Sequence, residues 1–540
     1  MIWLEFTAPA IDYARLAPFI IVLGAACLGV LVEAFVERTW RHEVQTGLSV
    51  IALLGAVVAV IAQWDSYGLA DSVAGSGAGL IGFDFGSVMI DGPTQIAWLT
   101  LLGFTLLSLL LFAERSVHGG HSAFTSAAAA IPGSRSEAEA TSAQLEHAEV
   151  FPLALFSLAG MMLLTAGQDL LVMFVALEIL SLPLYVLAAL ARHRRLGSQE
   201  AALKYFLLGA AASGMFLFGA ALLFAYSGSF DLAGLALAQT AGVGSDWLLI
   251  AGLALVAAGL LFKIGAVPFH QWAPDVYQGA PTPVTGFMSV ATKVAAVFAL
   301  LRLFYVGLGP SWWTWRPVFV VAAIATMALG AVVGIVQSDV KRLLAYSSIT
   351  HAGFILVGVA GAFTAVSLAA DGTISHALGS VASITTYLVA YGCATLGCFA
   401  CVTLVQSQGR EATDLAAWSG LGRSKPWFGA VMLISLLSLA GIPLTAGFVG
   451  KLTVFVAAWR GGLWWLVLVA IVLSVVAVYV YFRLVAVLFF QPPRPGVEVK
   501  TPGPATVVVL ALSVLGTLAF GLVPGPLTKL LASVGAFLVP

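Results

Sequence analysis

The chain has 540 residues, of which 61% are hydrophobic and 9% charged, and its mean hydropathy is +1.03. Soluble domains carry roughly 25% charged residues, so this composition excludes a soluble globular core and indicates a polytopic membrane protein. With a net charge of −1 and no long basic run, no nucleic-acid partner is expected.

The opening stretch "MIWLEFTAPAIDYARLAPF" has neither a basic region nor a small-residue cleavage site, so no removable signal peptide is expected. A crossing helix needs about 20 apolar residues. Fourteen candidate crossings run at residues 16–36, 46–63, 93–113, 150–165, 169–190, 199–226, 246–278, 283–306, 317–337, 342–364, 376–405, 426–459, 463–490 and 505–525. The seventh and twelfth are interrupted by proline. Between the second and third, "GLIGFDFGSVMIDG" alternates and carries glycines, which predicts a short surface hairpin. Residues 115–149 are rich in Ser, Ala, Gly and Glu and are predicted to form a mobile cytoplasmic loop with solvated His118, His121 and His147.

Cys393, Cys398 and Cys401 have the C-x4-C-x2-C spacing of an iron–sulfur loop. They lie in one unbroken apolar helix, where 100° per residue spreads them around the surface. They are read as small buried hydrophobes.

Fourteen of the 24 Lys and Arg residues fall in the loops of one face and five in those of the other, among the latter Arg302 and Arg316. The positive-inside rule then places both termini outside. The remaining five, Lys204, Lys263, Lys293, Lys451 and Arg483, lie inside the predicted spans. The two broken segments, "FKIGAVPFHQWAPDV" and "SLAGIPLTAGFVGKLTVF", each pair a lysine with a proline. Paired interrupted helices in two halves point to an ion site and to inverted repeats, here helices 4–8 and 9–13. The organisation expected is a three-helix segment at 1–114, the loop at 115–149, a first repeat at 150–306, a second at 317–490 and a last helix within 505–540.

A charge at the bilayer centre costs at least about 2.5–3.5 kcal/mol. Glu178, nine residues into its span, is about 13.5 Å deep. Lys263 adjoins the first break, Lys293 is mid-helix, and Lys451 is in the outer half of the second broken helix. Lys204 is one turn from the cytoplasmic end, where snorkelling competes with function. Arg483 reads as a snorkelling anchor before "QPPRP". The pattern is one buried acid and four buried lysines. A carboxylate nearby favours the ammonium form of a lysine, and its withdrawal disfavours it. A swing of about 4 kcal/mol matches moving a proton against roughly 150–200 mV, at about 2.3 kcal/mol per 100 mV. A break beside Lys263 must line a polar cavity, which makes it a hydrated relay. His270 at the break, and Ser347, Ser348 and His351 in "AYSSITHAGF", either extend the path or pack the helices.

At these residues the chain resembles the antiporter-like membrane subunits of proton-pumping NADH:quinone oxidoreductase, respiratory complex I, in the subunit N form. The markers are "LEILSLPLYVL", "EAALKYFLLGAAASG", "FKIGAVPFHQWAPDVYQGAPTPVTGFMSVATKVA", "DVKRLLAYSSITHAGF" and "AGIPLTAGFVGKLTVF", covering roughly residues 150–455. The resemblance implies an all-α polytopic fold of about fourteen transmembrane helices, with two inverted five-helix repeats and broken helices 7 and 12. It places Glu178, Lys204, Lys263, Lys293 and Lys451 at the family's proton-path positions. It also implies a multi-pass location in the inner membrane. The partners implied are other membrane subunits of the complex, including neighbouring antiporter-like subunits, besides the lipid bilayer, protons and water. The long 115–147 loop departs from the family pattern. No cofactor is expected in this chain, because it has no Rossmann fingerprint and "GFVGKL" is not a P-loop. Redox chemistry then belongs to partner subunits. The competing functions are a subunit of a Na⁺/H⁺ antiporter and a non-pumping spacer. The "DVYQGAPTPVT" stretch disfavours the first, and the buried charges disfavour the second.

Overall fold

The computed structural model describes residues 12–64, 83–84, 86–117, 120–125, 130–131, 134–136, 139, 147–192, 195–242, 244–362, 364–368, 374–378, 380–533 and 537. Within these, fourteen crossings can be followed. They are α1 (Tyr13–Phe35), α2 (Arg38–Ala62), α3 (Gly92–Phe112), α4 (Val150–Ala166), α5 (Leu170–Ala188), α6 (Arg195–Ser227), α7, α8 (Thr282–Gly307), α9 (Trp312–Ile335), α10 (Val340–Ala360), α11 (Val381–Leu404), α12, α13 (Trp464–Phe490) and α14 (Pro504–Leu522). Helix α7 is split into α7a (Asp246–Ile264) and α7b (Trp272–Gly279), and α12 into α12a (Pro426–Ala440) and α12b (Ala446–Arg460). The predicted hairpin is present as β1 (Phe83–Asp84) paired antiparallel with β2 (Met89–Ile90).

The two breaks are built alike. Helix α7a ends on Gly265 at φ +78° and α12a on Gly441 at φ +81°, a left-handed conformation that glycine adopts without a Cβ penalty. In each, the next amide closes a six-residue ring: Ala266 N donates to Leu261 O and Ile442 N to Leu437 O, at 2.9 and 3.0 Å. A second repeated device lies at the helix pair that opens each repeat. Leu170 N donates to Phe230 O and Leu232 N to Gln168 O; Val340 N donates to Thr413 O and Leu415 N to Ser338 O. Both clips start at an N-capping aspartate, Asp169 or Asp339. The same clip thus recurs at the α4–α5 and α9–α10 pairs.

Several elements differ from the sequence expectation. Helix α2 begins at Arg38, eight residues before the apolar run. Its polar first turns are held on α1, with Arg41 Nε donating to Val36 O and Gln45 Nε2 to Gly29 O. Residues 120–125 are docked and not a mobile loop. Phe124 is fully buried against Phe112, and Thr125 N donates to Leu190 O. His147 pairs with Glu149, while His118 lies outside the described residues. Strands β3 (Thr364–Leu368) and β4 (Ile374–Leu378) pair antiparallel between α10 and α11. A small sheet, β5 (Val405–Ser407) between β6 (Arg410–Glu411) and β7 (Val497–Val499), lies on the other face. Cys393, Cys398 and Cys401 are buried within α11.

One carboxylate ties the ends of the chain together. Glu114, just past α3, accepts from Gly503 N at 3.0 Å, Thr506 Oγ1 at 2.5 Å and Ser116 N at 2.7 Å. It thereby caps the N-terminus of α14, where a negative charge is favoured. Burial acts to raise its pKa, but the hydrogen bonds from Thr506, Ser116 and Gly503 prevail and hold it below the ordinary 4.5. A lowered folded pKa means stability that is present at neutral pH and lost as pH falls through the folded value. Glu114→Gln is therefore expected to lower the melting temperature of the detergent-purified complex at pH 7. The gap from wild type should close progressively below about pH 4.5. A gap that stays constant with pH counts against the ionised cap.

Candidate functional site: a mid-membrane lysine axis

The breaks place the lysines. The carbonyl of Phe262, freed by the end of α7a, accepts from Trp272 Nε1 at 2.8 Å. Lys263 is in that last turn, 4% exposed, and its Nζ has no hydrogen-bond partner. It lies 5.3 Å from the Tyr205 ring and 5.5 Å from the Tyr185 ring, close enough for cation–π attraction. The Tyr205 hydroxyl is also buried without a partner. At the second break, Lys451 Nζ donates to Ala440 O, the last carbonyl of α12a, at 2.8 Å, and to Ser474 Oγ at 2.9 Å. Its ammonium thus caps the negative end of a half-helix.

Helix α10 joins the other groups. Lys293 Nζ donates to Ser348 O at 2.6 Å and to Ser348 Oγ at 2.7 Å, beneath the Tyr391 ring at 4.8 Å. Tyr391 donates its hydroxyl to Ser348 Oγ at 2.9 Å. One turn on, His351 Nδ1 is 2.5 Å from the Tyr387 hydroxyl and Nε2 is 3.0 Å from that of Tyr481, which meets Ser347 Oγ at 2.6 Å. A further turn on, Phe354 lies 4.9 Å from Lys451 Nζ. Lys293, His351 and Lys451 therefore follow one buried stripe of α10. Among the described residues no carboxylate pairs with Lys263, Lys293 or Lys451.

Lys263 joins this axis through aromatic rings. Tyr205 stacks on Trp272 at 4.7 Å, Trp272 meets Tyr277 at 6.1 Å, and the Tyr277 hydroxyl is 3.4 Å from Ser348 Oγ. His270 is half-buried at the break, away from the His351 network, and its Nδ1 has no partner. Lys293 also follows a π-helical stretch, Met288–Thr292. The extra residue per turn offsets its side chain, and such bulges recur at functional sites.

Three charges are not where the sequence suggested. Lys204 is half-exposed, paired with Glu200 at 2.7 Å and Asp275 at 2.8 Å, so the buried lysines of the axis number three. Its helix runs Arg195–Ser227, and Lys204 lies on the exposed side of it, away from the buried Ala201 and Tyr205. Glu178 is half-buried on a stripe of α5 with the exposed Leu171, Val175, Leu182 and Val186. It forms no ion pair with Lys263. Arg483 does not snorkel; it donates to Ile335 O and Gln337 O, closing the end of α9. Sequence reasoning also missed Tyr277, Tyr387, Tyr391, Tyr481 and Ser474. Hydroxyls within apolar helices, as in "TTYLVAY" and "VYVYFR", were the available signal.

Arg302, assigned to an outer loop from the sequence, is fully buried within α8. It donates to Asp91 Oδ1 and Thr94 Oγ1, both at 2.7 Å, and to Thr165 O at 3.0 Å. The predicted span, 283–306, contains this position although its charge was counted with the outer loop, and the helix runs through it to Gly307.

The family model for transmembrane proteins of the NADH:quinone oxidoreductase/Mrp antiporter type matches residues 167–477. The chain is 47% identical over 538 residues to NADH-quinone oxidoreductase subunit N of Cutibacterium acnes, covering 99% of this chain and 97% of the relative. It is 47% identical over 540 residues to the subunit N of a Nocardioides strain, covering 99% and 100%. A chain of respiratory complex I from Thermus thermophilus with bound aureothin is similar at 32% identity and TM-score 0.73, covering 96% of this chain and all of that one. A chain of the Mrp complex from a Dietzia species shares the fold at TM-score 0.77 and 21% identity, covering 97% of each.

The Arg302–Asp91 pair is a fixed counterpart to the lysine axis. Removing one member of a buried pair costs about 3–5 kcal/mol, because the other charge is stranded, whereas an apolar replacement of both is often neutral. Arg302→Ala should lower the thermal midpoint of the purified protein sharply. The double variant Arg302→Met with Asp91→Leu should recover most of the loss. Equal loss in both would show that more than charge pairing is at stake.

Proposed function

Because this chain belongs to the subunit N family of NADH-quinone oxidoreductase, within the wider family of NADH:quinone oxidoreductase/Mrp antiporter membrane proteins, we propose that it translocates protons along the Lys263–Lys293–His351–Lys451 axis, driven by redox chemistry in partner subunits. The observation that carries this reading is the row formed by Ser348, His351 and Phe354 of α10, against which the buried Lys293 and Lys451 pack from neighbouring helices, with no carboxylate paired to either ammonium among the described residues. Groups that donate and accept pass protons by short hops, and water bridges gaps too long for a direct bond. An ammonium without a fixed counter-ion is easily discharged, which a relay requires. Glu178, half-buried on an apolar stripe of α5, is the modulator of Lys263. A neighbouring membrane subunit covers that stripe in the complex.

The location is the inner membrane, with both termini on the outer side and the face bearing Lys204, Arg342 and the β5–β7 sheet on the cytoplasmic side. Protons load from that face and leave past Lys451, whose half-helix α12b runs toward the other. The chain shares its fold with an Mrp antiporter chain, but its higher identities are to subunit N relatives. The pumping reading rests on those.

In membrane vesicles that build NADH-driven proton gradients, Lys263→Ala and Glu178→Ala should each sharply reduce pumping at unchanged complex abundance. Lys263→Arg should not restore it, because arginine stays protonated. Normal pumping by Lys263→Ala at normal abundance rejects the relay. For orientation, a reporter fused after Arg195 should read as cytoplasmic and one after Gly244 as external. Reversal of both overturns the assignment.

A further inference from the structure

The ion cluster around Asp275 is not used by the axis as described. Asp275, on α7b, shares its two oxygens between helices. Oδ2 accepts from Lys204 Nζ of α6 at 2.8 Å, and Oδ1 from Arg342 Nη1 of α10 at 2.6 Å. It forms one wall of a cavity of about 550 Å³ between α6, α7b and α10. Of the other ionisable groups facing α7b, Glu200 is paired with Lys204, Asp339 caps α10 and accepts from Thr413, and Asp414 faces Arg494 at 3.8 Å. Beyond the end of α7b, Lys341 donates to Ala280 O at 2.6 Å and lies 4.0 Å from Glu411.

Two residues past Asp275, Tyr277 turns to the opposite side of the same short helix, where its hydroxyl meets Ser348 Oγ, the hydroxyl that Lys293 holds. From Arg342 to Ser348 the rise along α10 is six residues, about 9 Å. The cavity floor and the lysine axis are therefore joined by one short helix. Building on the pumping reading above, we propose that Asp275 is the carboxylate through which protons from the cytoplasmic face reach Lys293, with Lys204 and Arg342 positioning it.

The paired geometry supplies the step. Lys204 has a second carboxylate, Glu200 at 2.7 Å, so it can release Oδ2 and remain paired. Arg342 keeps Oδ1 and is held by Gln278 and Gln337. The freed Oδ2 takes a proton from water in the cavity. Because Tyr277 is on the other side of α7b, water must carry that proton around the short helix to the Tyr277 hydroxyl, which passes its own to Ser348 Oγ and on to a neutral Lys293 amine. Lys293 gains one proton, and Asp275, Tyr277 and Ser348 end as they began.

The test uses the assembled complex in inverted vesicles, whose cytoplasmic face meets the bath, with initial pumping rates measured from pH 6 to 8. Asp275→Asn keeps the size and hydrogen-bond acceptor but takes no proton. It should pump at least about tenfold more slowly at pH 8, as expected for loss of a proton-transfer group, and approach wild type at pH 6, where bath protons are plentiful. Asp275→Glu should restore the wild-type profile. Tyr277→Phe, which removes only a hydroxyl, should show the same pH-dependent defect and keeps the test open if Asp275→Asn does not assemble. A loss equal at every pH, with no rescue by glutamate, means that Asp275 only holds helices together and overturns the proposal. If Lys293→Ala pumps normally, the axis itself is wrong. If Lys293→Ala is inactive while Asp275→Asn and Tyr277→Phe pump normally at pH 8, only the route through Asp275 is wrong.

Discussion

In hydrocarbon no water is at hand to hydrogen-bond a freed carbonyl, so a helix that stops halfway across a membrane must have its last carbonyls answered by the protein. Helices α7 and α12 both stop halfway, and the answers differ. Trp272 fills the role for α7a and leaves Lys263 without a partner. At α12a the lysine itself does it, through Lys451 Nζ on Ala440 O. Both ammonium groups end up near the negative end of a half-helix, which lowers the cost of carrying charge there without committing either to a carboxylate. The interrupted helix thus makes a buried lysine tolerable.

Helix α10 then organises the interior, since almost all of its residues are buried. Positions 348, 351 and 354 lie a turn apart on one stripe, so they present a hydroxyl, an imidazole and an aromatic face in sequence along the membrane interior. The tyrosines of α11 and α13 close around that stripe. Their hydroxyls both accept and donate, which lets the same side chains serve whichever way a proton points. The π-helical offset in α8 brings Lys293 onto Ser348 from the facing side.

Much of this was legible in the sequence. Apolar runs located the long apolar helices, and the two Lys–Pro pairings located the two broken ones. Hydropathy reports depth and is blind to lateral neighbours, and the errors follow from that. Lys204 was counted as buried because its helix is apolar, though it lies on the exposed side of that helix, in a surface ion cluster. Arg302 was counted with the outer loop although its predicted span, 283–306, contains it, and α8 carries it inward to meet Asp91, 211 residues away. Arg483 was read as reaching for solvent, where its partners are carbonyls at the end of α9. The clip around Asp169 and Asp339 was invisible for another reason: it is made by backbone groups, and the two copies share little sequence beyond the capping aspartate.

The molecule buries cations in two chemically distinct ways. Arg302 is fully enclosed and matched to Asp91, with hydroxyl and carbonyl acceptors around it. Arginine stays charged in any protein environment, so such a pair can only be made or broken, and it serves to lock α8 against α3. Lys263, Lys293 and Lys451 are enclosed almost as completely but face carbonyls, hydroxyls and ring faces. These partners stabilise an ammonium and tolerate an amine, since a hydroxyl can reverse its proton and a ring face asks for none. Replacing any of them by a carboxylate would fix the charge and turn a relay station into another lock. The residue type and the absence of an acidic partner among the described residues are therefore one design feature, which leaves the charge free to change.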